Sequence, residues 1–371
     1  MRFLERERAV VEEMLPGLDE ALRKVPLMAL EGPDGPGIRL FRDSGGPGLL
    51  APVSDQGRGA TAVDALRVQR AVGSRAPSLA VATSMHHFCL ATLIGLADAG
   101  GDGLKHMLVE GVASGNRLVA AGFAEEDAGA GFLSPSVAAA VGSDSEIRVN
   151  GVTRTHGLAS SMDVLLAGAR VPVLDGPGEE LALAVVPAES EGLSFGGTGA
   201  ENERVTLDDV VLPPELLVRA ADLDGPLEAV LTAGFVWFQL LMTGSYLGAA
   251  SALVERVLTD DRVPESERVR LLVEAEGAMS AAEGVARRID SDGRDESALA
   301  DSLCVRYSVQ DALYRTASRA VELLNDLNPV ASQETSHLAA CTHGLALQPP
   351  ARPRMTAPLA AYLDGGPLAI T

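Results

Sequence analysis

Cysteine is scarce in this chain of 371 residues: Cys89, Cys304 and Cys341 are far apart and odd in number. That excludes a disulfide framework, and without a Cys-x-x-Cys pair no metal site is expected. A reducing compartment, the cytoplasm, is expected instead. Lysine is scarcer still, with only Lys24 and Lys105, and acidic residues outnumber basic ones 51 to 30 for a net charge of -21. A surface so negative repels nucleic acid and anionic membranes, so neither is expected as a partner. The opening Met1-Arg-Phe-Leu-Glu-Arg-Glu-Arg is too charged for the apolar region of a signal peptide, and export is not expected. No internal repeat or low-complexity tract is evident.

Two long uncharged runs are present, Ser78 to Ala97 and Ala229 to Val254. Both reach the roughly 18-residue length of a membrane span. Each nevertheless contains polar side chains, His86, His87 and Cys89 in the first, Gln239, Thr243, Ser245 and Tyr246 in the second. Neither adjoins a basic cluster that would set topology. Both therefore read as buried helices, apolar all round, in a helical protein. With 47% hydrophobic residues the chain has ample material for a core.

Periodicity divides the chain into helix, sheet and helix. Helical spacing covers Glu5 to Val25, Ala60 to Gly73, Ser78 to Ala97 and Gly103 to Ala113, with a Gly- and Pro-rich loop from Gly32 to Gly59. Period-two patterning takes over from Arg117 to Pro214: a strand and turn at Glu146 to Gly151, strands at Val164 to Val171, Leu181 to Val186 and Arg204 to Leu212, and a loop at Gly192 to Gly199. Helical spacing returns over Leu227 to Leu258, Glu265 to Asp290, Glu296 to Leu327 and, more weakly, Thr335 to Gly344. The fold class is α+β, mainly α: an N-terminal helical domain (1–116), a central β-barrel-like domain (117–222) and a C-terminal four-helix bundle (223–371).

Several segments, in order, carry a resemblance: Leu40-Phe-Arg-Asp-Ser-Gly with Pro47-Gly-Leu-Leu-Ala-Pro; Ala124-Glu-Glu-Asp-Ala-Gly entering the β-domain; Asn150-Gly with Asp163 twelve residues after Gly151; Val205-Thr-Leu-Asp-Asp-Val-Val-Leu-Pro; and Gly248-Ala-Ala-Ser-Ala-Leu. Over nearly its whole length the chain resembles the acyl-CoA dehydrogenase family. The resemblance implies the three-part fold above, assembly into oligomers, bound FAD, and oxidation of an acyl thioester. In that chemistry a carboxylate removes the α-proton while a hydride leaves for the flavin.

Position by position, the resemblance also shows departures. The flavin-facing Thr-Glu-Pro-Gly-Ala-Gly-Ser-Asp motif of the family stands here as Ala124-Glu125-Glu126-Asp127-Ala128-Gly129-Ala130-Gly131, with both hydroxyls gone. In the Asn-Gly-x-Lys-x-Trp-Ile-Thr-Asn motif, Thr153 replaces Lys, Thr155 the stacking Trp, His156 the Ile and Gly157 the Thr. Arg262 alone answers the arginine that holds the FAD of a neighbouring subunit, and Asn325-Asp326 replace the Gly-Gly pair. The catalytic Glu positions fall near Gln348-Pro349 and near Phe238, neither able to take a proton; Asp364 lies too late and reads as a solvated turn. Resemblance thus assigns Ala124, Glu125, Gly129, Thr155, Gly157 and Arg262 to the cofactor site, several of them degraded.

Other candidates rest on the residues themselves. His156 has a pKa range suited to an acid or base, or is an ordinary packed turn residue. Arg352 and Arg354 either bind a phosphate, such as that of CoA or phosphopantetheine, or lie exposed on an extended tail. His86 and His87 point about 100° apart and cannot share a metal, so they read as core or pocket lining. Three functions follow: an acyl-thioester enzyme, on CoA or a carrier protein, with altered or non-redox chemistry in a specialised biosynthetic pathway; an FAD-dependent dehydrogenase or oxygenase with unusual flavin contacts; or a non-catalytic subunit paired with an intact homologue. FAD is accordingly expected by resemblance or lost, and the assembly is a homo-oligomer or a heteromer.

Overall fold

Proline and glycine decide where the first helices break. The computed structural model describes residues 2–100, 103–123, 135–142, 146–155, 157–173, 177–196, 204–291, 293–324 and 329–368. The helix expected over Glu5 to Val25 is two, α1 (Glu5–Met14) and α2 (Leu18–Arg23). Pro16 cannot continue the ladder of hydrogen bonds, and Gly17 takes φ +80°, a left-handed conformation. After α3 (Leu27–Leu30), the expected loop Gly32 to Gly59 contains a further helix, α4 (Gly37–Asp43). It is anchored by Phe41, which is fully buried; the glycines and prolines flanking it mask so short a periodicity.

The next three helices match the spacing closely: α5 (Ala62–Arg75), α6 (Pro77–Gly100) and α7 (Gly103–Ser114). Helix α5 starts at a capping box, in which Thr61 Oγ1 accepts from Asp64 N–H and the Asp64 carboxylate accepts from Thr61 N–H. Asp290 adds a second cap from far along the chain, accepting from Ala62 N–H at 2.6 Å. Arg70, fully buried on α5, is tied to Glu7, Glu276 and Ser251. Burial raises the Glu7 pKa, but Arg70 and Arg6 outweigh it and hold the carboxyl below its ordinary value.

The central sheet has eight described strands: β1 (Val119–Gly122), β2 (Ala138–Val141), β3 (Ile147–Arg154), β4 (Val164–Pro172), β5 (Glu179–Pro187), β6 (Leu193–Gly196), β7 (Arg204–Leu212) and β8 (Leu217–Arg219). Their order is β6-β7-β3-β2-β4-β5-β8, with β1 beside β4. Strands β1 and β2 run parallel to successive halves of β4, and the other pairings are antiparallel. The expected loop Gly192 to Gly199 includes β6, an edge strand too short to show alternation.

Asn150-Gly151 does not turn the chain, as its composition suggested; β3 continues through it. The pair makes a bulge, where the register against β7 shifts between Val149 and Gly151. Asn150 Oδ1 accepts from Asp209 N–H at 2.8 Å across the bulge. Gly151 sits at φ +143°, and a Cβ there would stand 2.7 Å from Val137 Cα, so no side chain fits. Past the bulge, Thr153 and Thr155 turn inward and are buried.

The C-terminal part is built from α8 (Leu227–Thr259), α9 (Glu265–Asp290), α10 (Glu296–Leu324), α11 (Pro329–His343) and α12 (Arg352–Leu363). Helices α8 to α11 pack on one another as the expected bundle. Helix α12 was not legible, since Pro353 and Pro358 read as breakers; Pro353 is tolerated in the first turn. The two uncharged runs form α6 and α8, whose most apolar windows are 78% and 72% buried within the fold. They are core helices. Helices α5 and α8 cross at Gly73 and Gly248, where a Cβ on Gly248 would lie 2.5 Å from Arg70 O and 2.7 Å from Gly73 Cα. That close approach is why Gly248 opens the motif on the bundle helix.

Candidate active site

Four phenylalanines meet where α6, α8 and the sheet come together. Phe88 of α6 lies with its ring centroid 5.6 Å from Phe123, at the end of β1, 6.0 Å from Phe235 and 5.7 Å from Phe238, the last two on α8. Phe235 and Phe238 are 5.8 Å apart. All four are buried, and the edge-to-face arrangements of Phe88 suit the aromatic quadrupole. The resemblance places one of the two catalytic Glu positions near Phe238, which is a member of this ring cluster.

The second such position lies on the segment 345–350, which is fastened by Arg306. This guanidinium, buried on α10, donates to Gln239 Oε1 and to the carbonyls of Pro349, Pro350, Leu345 and Gln348. Burial lowers its pKa to about 10, so it stays charged at neutral pH. Tyr307 Oη donates to Pro350 O at 2.9 Å, and Gln348 Nε2 donates to Tyr246 Oη at 2.7 Å. Pro349 thus contributes a carbonyl to a fixed strap, and no carboxylate stands at either position. Sequence reasoning missed Arg306 and Gln239. Their signal was a charged and an amide side chain on faces otherwise apolar, which burial permits only with partners.

The turn after β3 is set between α4, α6 and the sheet. Arg42 Nη1 pairs with Asp163 Oδ2 at 2.9 Å, and Arg42 also donates to the carbonyls of Asn116 and Ser161. Asp163 Oδ2 accepts from Leu118 N–H at 2.7 Å. Two of the family-like segments, around Arg42 and Asp163, therefore bond to each other. Gly157, at φ +83°, packs on Ala82 of α6, where a Cβ would come within 3.0 Å. A flavin requires hydroxyl and amide groups at its ring edge and close backbone approach. The Thr155 hydroxyl and the Gly157 backbone are groups of that chemistry, and both lie where the sheet meets α6.

The remaining assigned residues are not all brought together. Ala124, Glu125, Gly129, His156 and Asn325-Asp326 lie outside the described residues. Arg262 stands beyond the C-terminal end of α8, roughly 30 Å along the helix from Phe238. There it binds Asp260, whose carboxyl it lowers to about 2. Within one chain it cannot reach the ring cluster. Arg352 is not on an extended tail: it opens α12, pairs with Asp311 at 3.0 Å, donates to Tyr307 O and lies over the Tyr307 ring. Its guanidinium fastens α12 to α10, and Arg354 is exposed on the same helix. Asp364 is exposed just after α12.

His86 and His87 line the core, as the spacing implied. Val119 N–H donates to His86 Nδ1 at 3.0 Å, so Nε2 carries the proton and donates to Pro47 O at 2.9 Å. Burial lowers the His86 pKa to about 4. His87, beside Phe41, has both ring nitrogens buried without a partner among the described residues, and burial holds its pKa well below the ordinary value.

No protein-family model matches the chain. It is 38% identical to isobutylamine N-hydroxylase of Streptomyces viridifaciens over the full length of both chains. Among solved structures it is similar to FMN-bound TdsC, a dibenzothiophene monooxygenase, from Paenibacillus sp. A11-2 (17% identity, TM-score 0.77, covering 100% of this chain and 99% of that one). It is also similar to glutaryl-coenzyme A dehydrogenase in its glutaryl-CoA complex (18% identity, TM-score 0.77, covering 100% and 96%). The chain belongs to the acyl-CoA dehydrogenase family.

Proposed function

We propose that the protein is a flavin-dependent monooxygenase that hydroxylates the nitrogen of a small primary amine in a specialised biosynthetic pathway. The observation that carries this reading is Phe238. A dehydrogenase needs a carboxylate to abstract the α-proton of a thioester, and the resemblance puts that base near Phe238 or near Gln348-Pro349, none of which can take a proton. Oxygen transfer to nitrogen needs no such base. The class of substrate is drawn from the full-length likeness to isobutylamine N-hydroxylase.

A bound, reduced flavin would supply two electrons and, with dioxygen, the oxygen atom delivered to nitrogen, leaving water and oxidised flavin. The chain's own residues supply the surroundings. Thr155 and Gly157 would hold the flavin edge with hydroxyl and amide groups. The nucleophile is the nitrogen lone pair, so the amine must be unprotonated to react. Phe88, Phe123, Phe235 and Phe238 favour that form, because an apolar site disfavours an ammonium ion and lowers its pKa. A carboxylate at Phe238 would do the opposite.

Short primary amines, isobutylamine first, are to be incubated with the protein, reduced FAD or FMN, and air. Amine-dependent formation of a hydroxylamine is the expected result. Turnover of an acyl-CoA to its enoyl product, with no amine oxidised, would overturn the reading.

A further inference from the structure

Away from the ring cluster, the described residues hold a second grouping of reactive side chains, Glu31, His337 and Cys341. One ligand atom from each, an oxygen, a nitrogen and a sulfur, lies within 4.8 Å of the other two. His337 and Cys341 are one turn apart on the same face of α11. Glu31 follows directly on α3 and comes from the other end of the chain.

The geometry is convergent. His337 Nε2 stands 2.9 Å from Glu31 Oε2 and 3.4 Å from Cys341 Sγ. A catalytic relay would set the acid and the thiol on opposite ring nitrogens. Here both face the same nitrogen, as ligands of one ion do. The Glu31 side chain is 1% exposed. Its carboxylate is oriented by the start of α6, accepting from Ser78 N–H at 3.2 Å and Ser78 Oγ at 2.6 Å, the kind of outer support that fixes a metal ligand. The His337 side chain is 27% exposed, which leaves an approach from solvent. One carboxylate, one imidazole and one thiolate form a borderline donor set, which favours zinc over magnesium or calcium.

We infer that Glu31, His337 and Cys341 bind a zinc ion that clamps α3 and the start of α6 to α11, with water completing the coordination. On binding, Cys341 loses its thiol proton to solvent, and the His337 proton moves from Nε2 to Nδ1, freeing Nε2 for the metal. Helix α11 runs directly into the strap held by Arg306, so the ion steadies that strap from outside the ring cluster. The site stands whether or not the protein oxidises amines.

Cobalt(II) is the probe, added to full-length protein treated with chelator. One equivalent is expected to give a near-ultraviolet thiolate-to-cobalt absorption that zinc abolishes. The band is expected to be lost in Cys341→Ser, kept in Cys304→Ser, and to need at least ~10-fold more cobalt in Glu31→Gln. No band in the unmodified protein, or a band that survives Cys341→Ser, overturns the proposal. Should Cys341→Ser fail to fold, alkylation of the unmodified protein decides: zinc is expected to protect Cys341 and not Cys304, and equal labelling of Cys341 with and without zinc overturns it.

Discussion

Arg306 Nη1 donates to Gln239 Oε1 at 2.5 Å, and through this bond one buried guanidinium joins the helix that carries Phe238 to the strap that carries Pro349. The two segments to which the resemblance assigns a dehydrogenase's base are thus parts of one fixed arrangement. Arg306→Leu leaves Gln239 and several strap carbonyls without a donor, and is expected to cost about 3 kcal/mol. Arg306→Lys recovers little, because an ammonium cannot span the same fan of acceptors. Denaturant midpoints measure both; a loss under ~1 kcal/mol in either variant contradicts the assignment.

Phe238 tests the chemistry. Phe238→Leu keeps the surroundings apolar and is expected to hold kcat/KM for amine hydroxylation within about tenfold. Phe238→Glu places an anion beside the nitrogen, and a neighbouring opposite charge raises an amine pKa by roughly 1–3 units. The reactive neutral fraction falls accordingly, and kcat/KM is expected to drop about 10- to 1000-fold at neutral pH, with partial recovery as pH is raised. Equal activity in the two variants would contradict an apolar amine site.

His86 and His87 give the fold an acid-sensitive core. His86 is held neutral to about 4, while an unfolded histidine takes its proton near 6.5. Between those values the unfolded chain binds more protons, so stability is full above about 6.5 and declines as pH falls toward 4. For His86 alone the loss is about 3 kcal/mol, and His87 acts in the same direction. His87→Leu removes two unpartnered buried nitrogens, so it is expected to leave stability at neutral pH equal or higher and to flatten the acid decline. Chemical unfolding across this pH range reads both effects, and an unchanged slope in His87→Leu argues against them.

Asp163 ties α4 to the turn after β3. Asp163→Ala leaves Leu118 N–H and Arg42 without their shared partner. Both side chains are partly exposed, so the expected cost is about 1–2 kcal/mol rather than that of a fully buried pair. Arg42→Ala in the Asp163→Ala background should cost less than in the unmodified protein, because the two act together. Strict additivity would show that they do not.

The long helices were legible because their information is local. Glu265 to Asp290 is a helix to the residue, and α6 and α8 appear where uncharged runs are too long for strands. What the sequence hid depends on contacts distant along the chain. Helix α4 is held by Phe41 rather than by periodicity, and α12 forms despite two prolines. Asn150-Gly151 looks like a turn until its partner, Asp209, is known. The candidate site followed the same division. The resemblance directs attention to Phe238 and Gln348-Pro349, whereas the ring cluster joins Phe88, Phe123, Phe235 and Phe238 from two distant helices and a strand end. Arg352 read as either a phosphate ligand or an exposed tail residue because Asp311 and Tyr307 become its neighbours only on folding. Nor did isolated cysteines suggest a metal: Glu31 and Cys341 meet only in three dimensions.

The most direct measurement is a single turnover with isotopically labelled dioxygen. Protein loaded anaerobically with reduced flavin and a short primary amine is exposed to the labelled gas, and the product is weighed by mass spectrometry. The expected product is a hydroxylamine carrying one labelled oxygen atom on nitrogen, formed in proportion to the loaded protein and reduced in Phe238→Glu. Recovery of unchanged amine with the labelled oxygen appearing only in hydrogen peroxide, across a series of short primary amines, would contradict the proposed function.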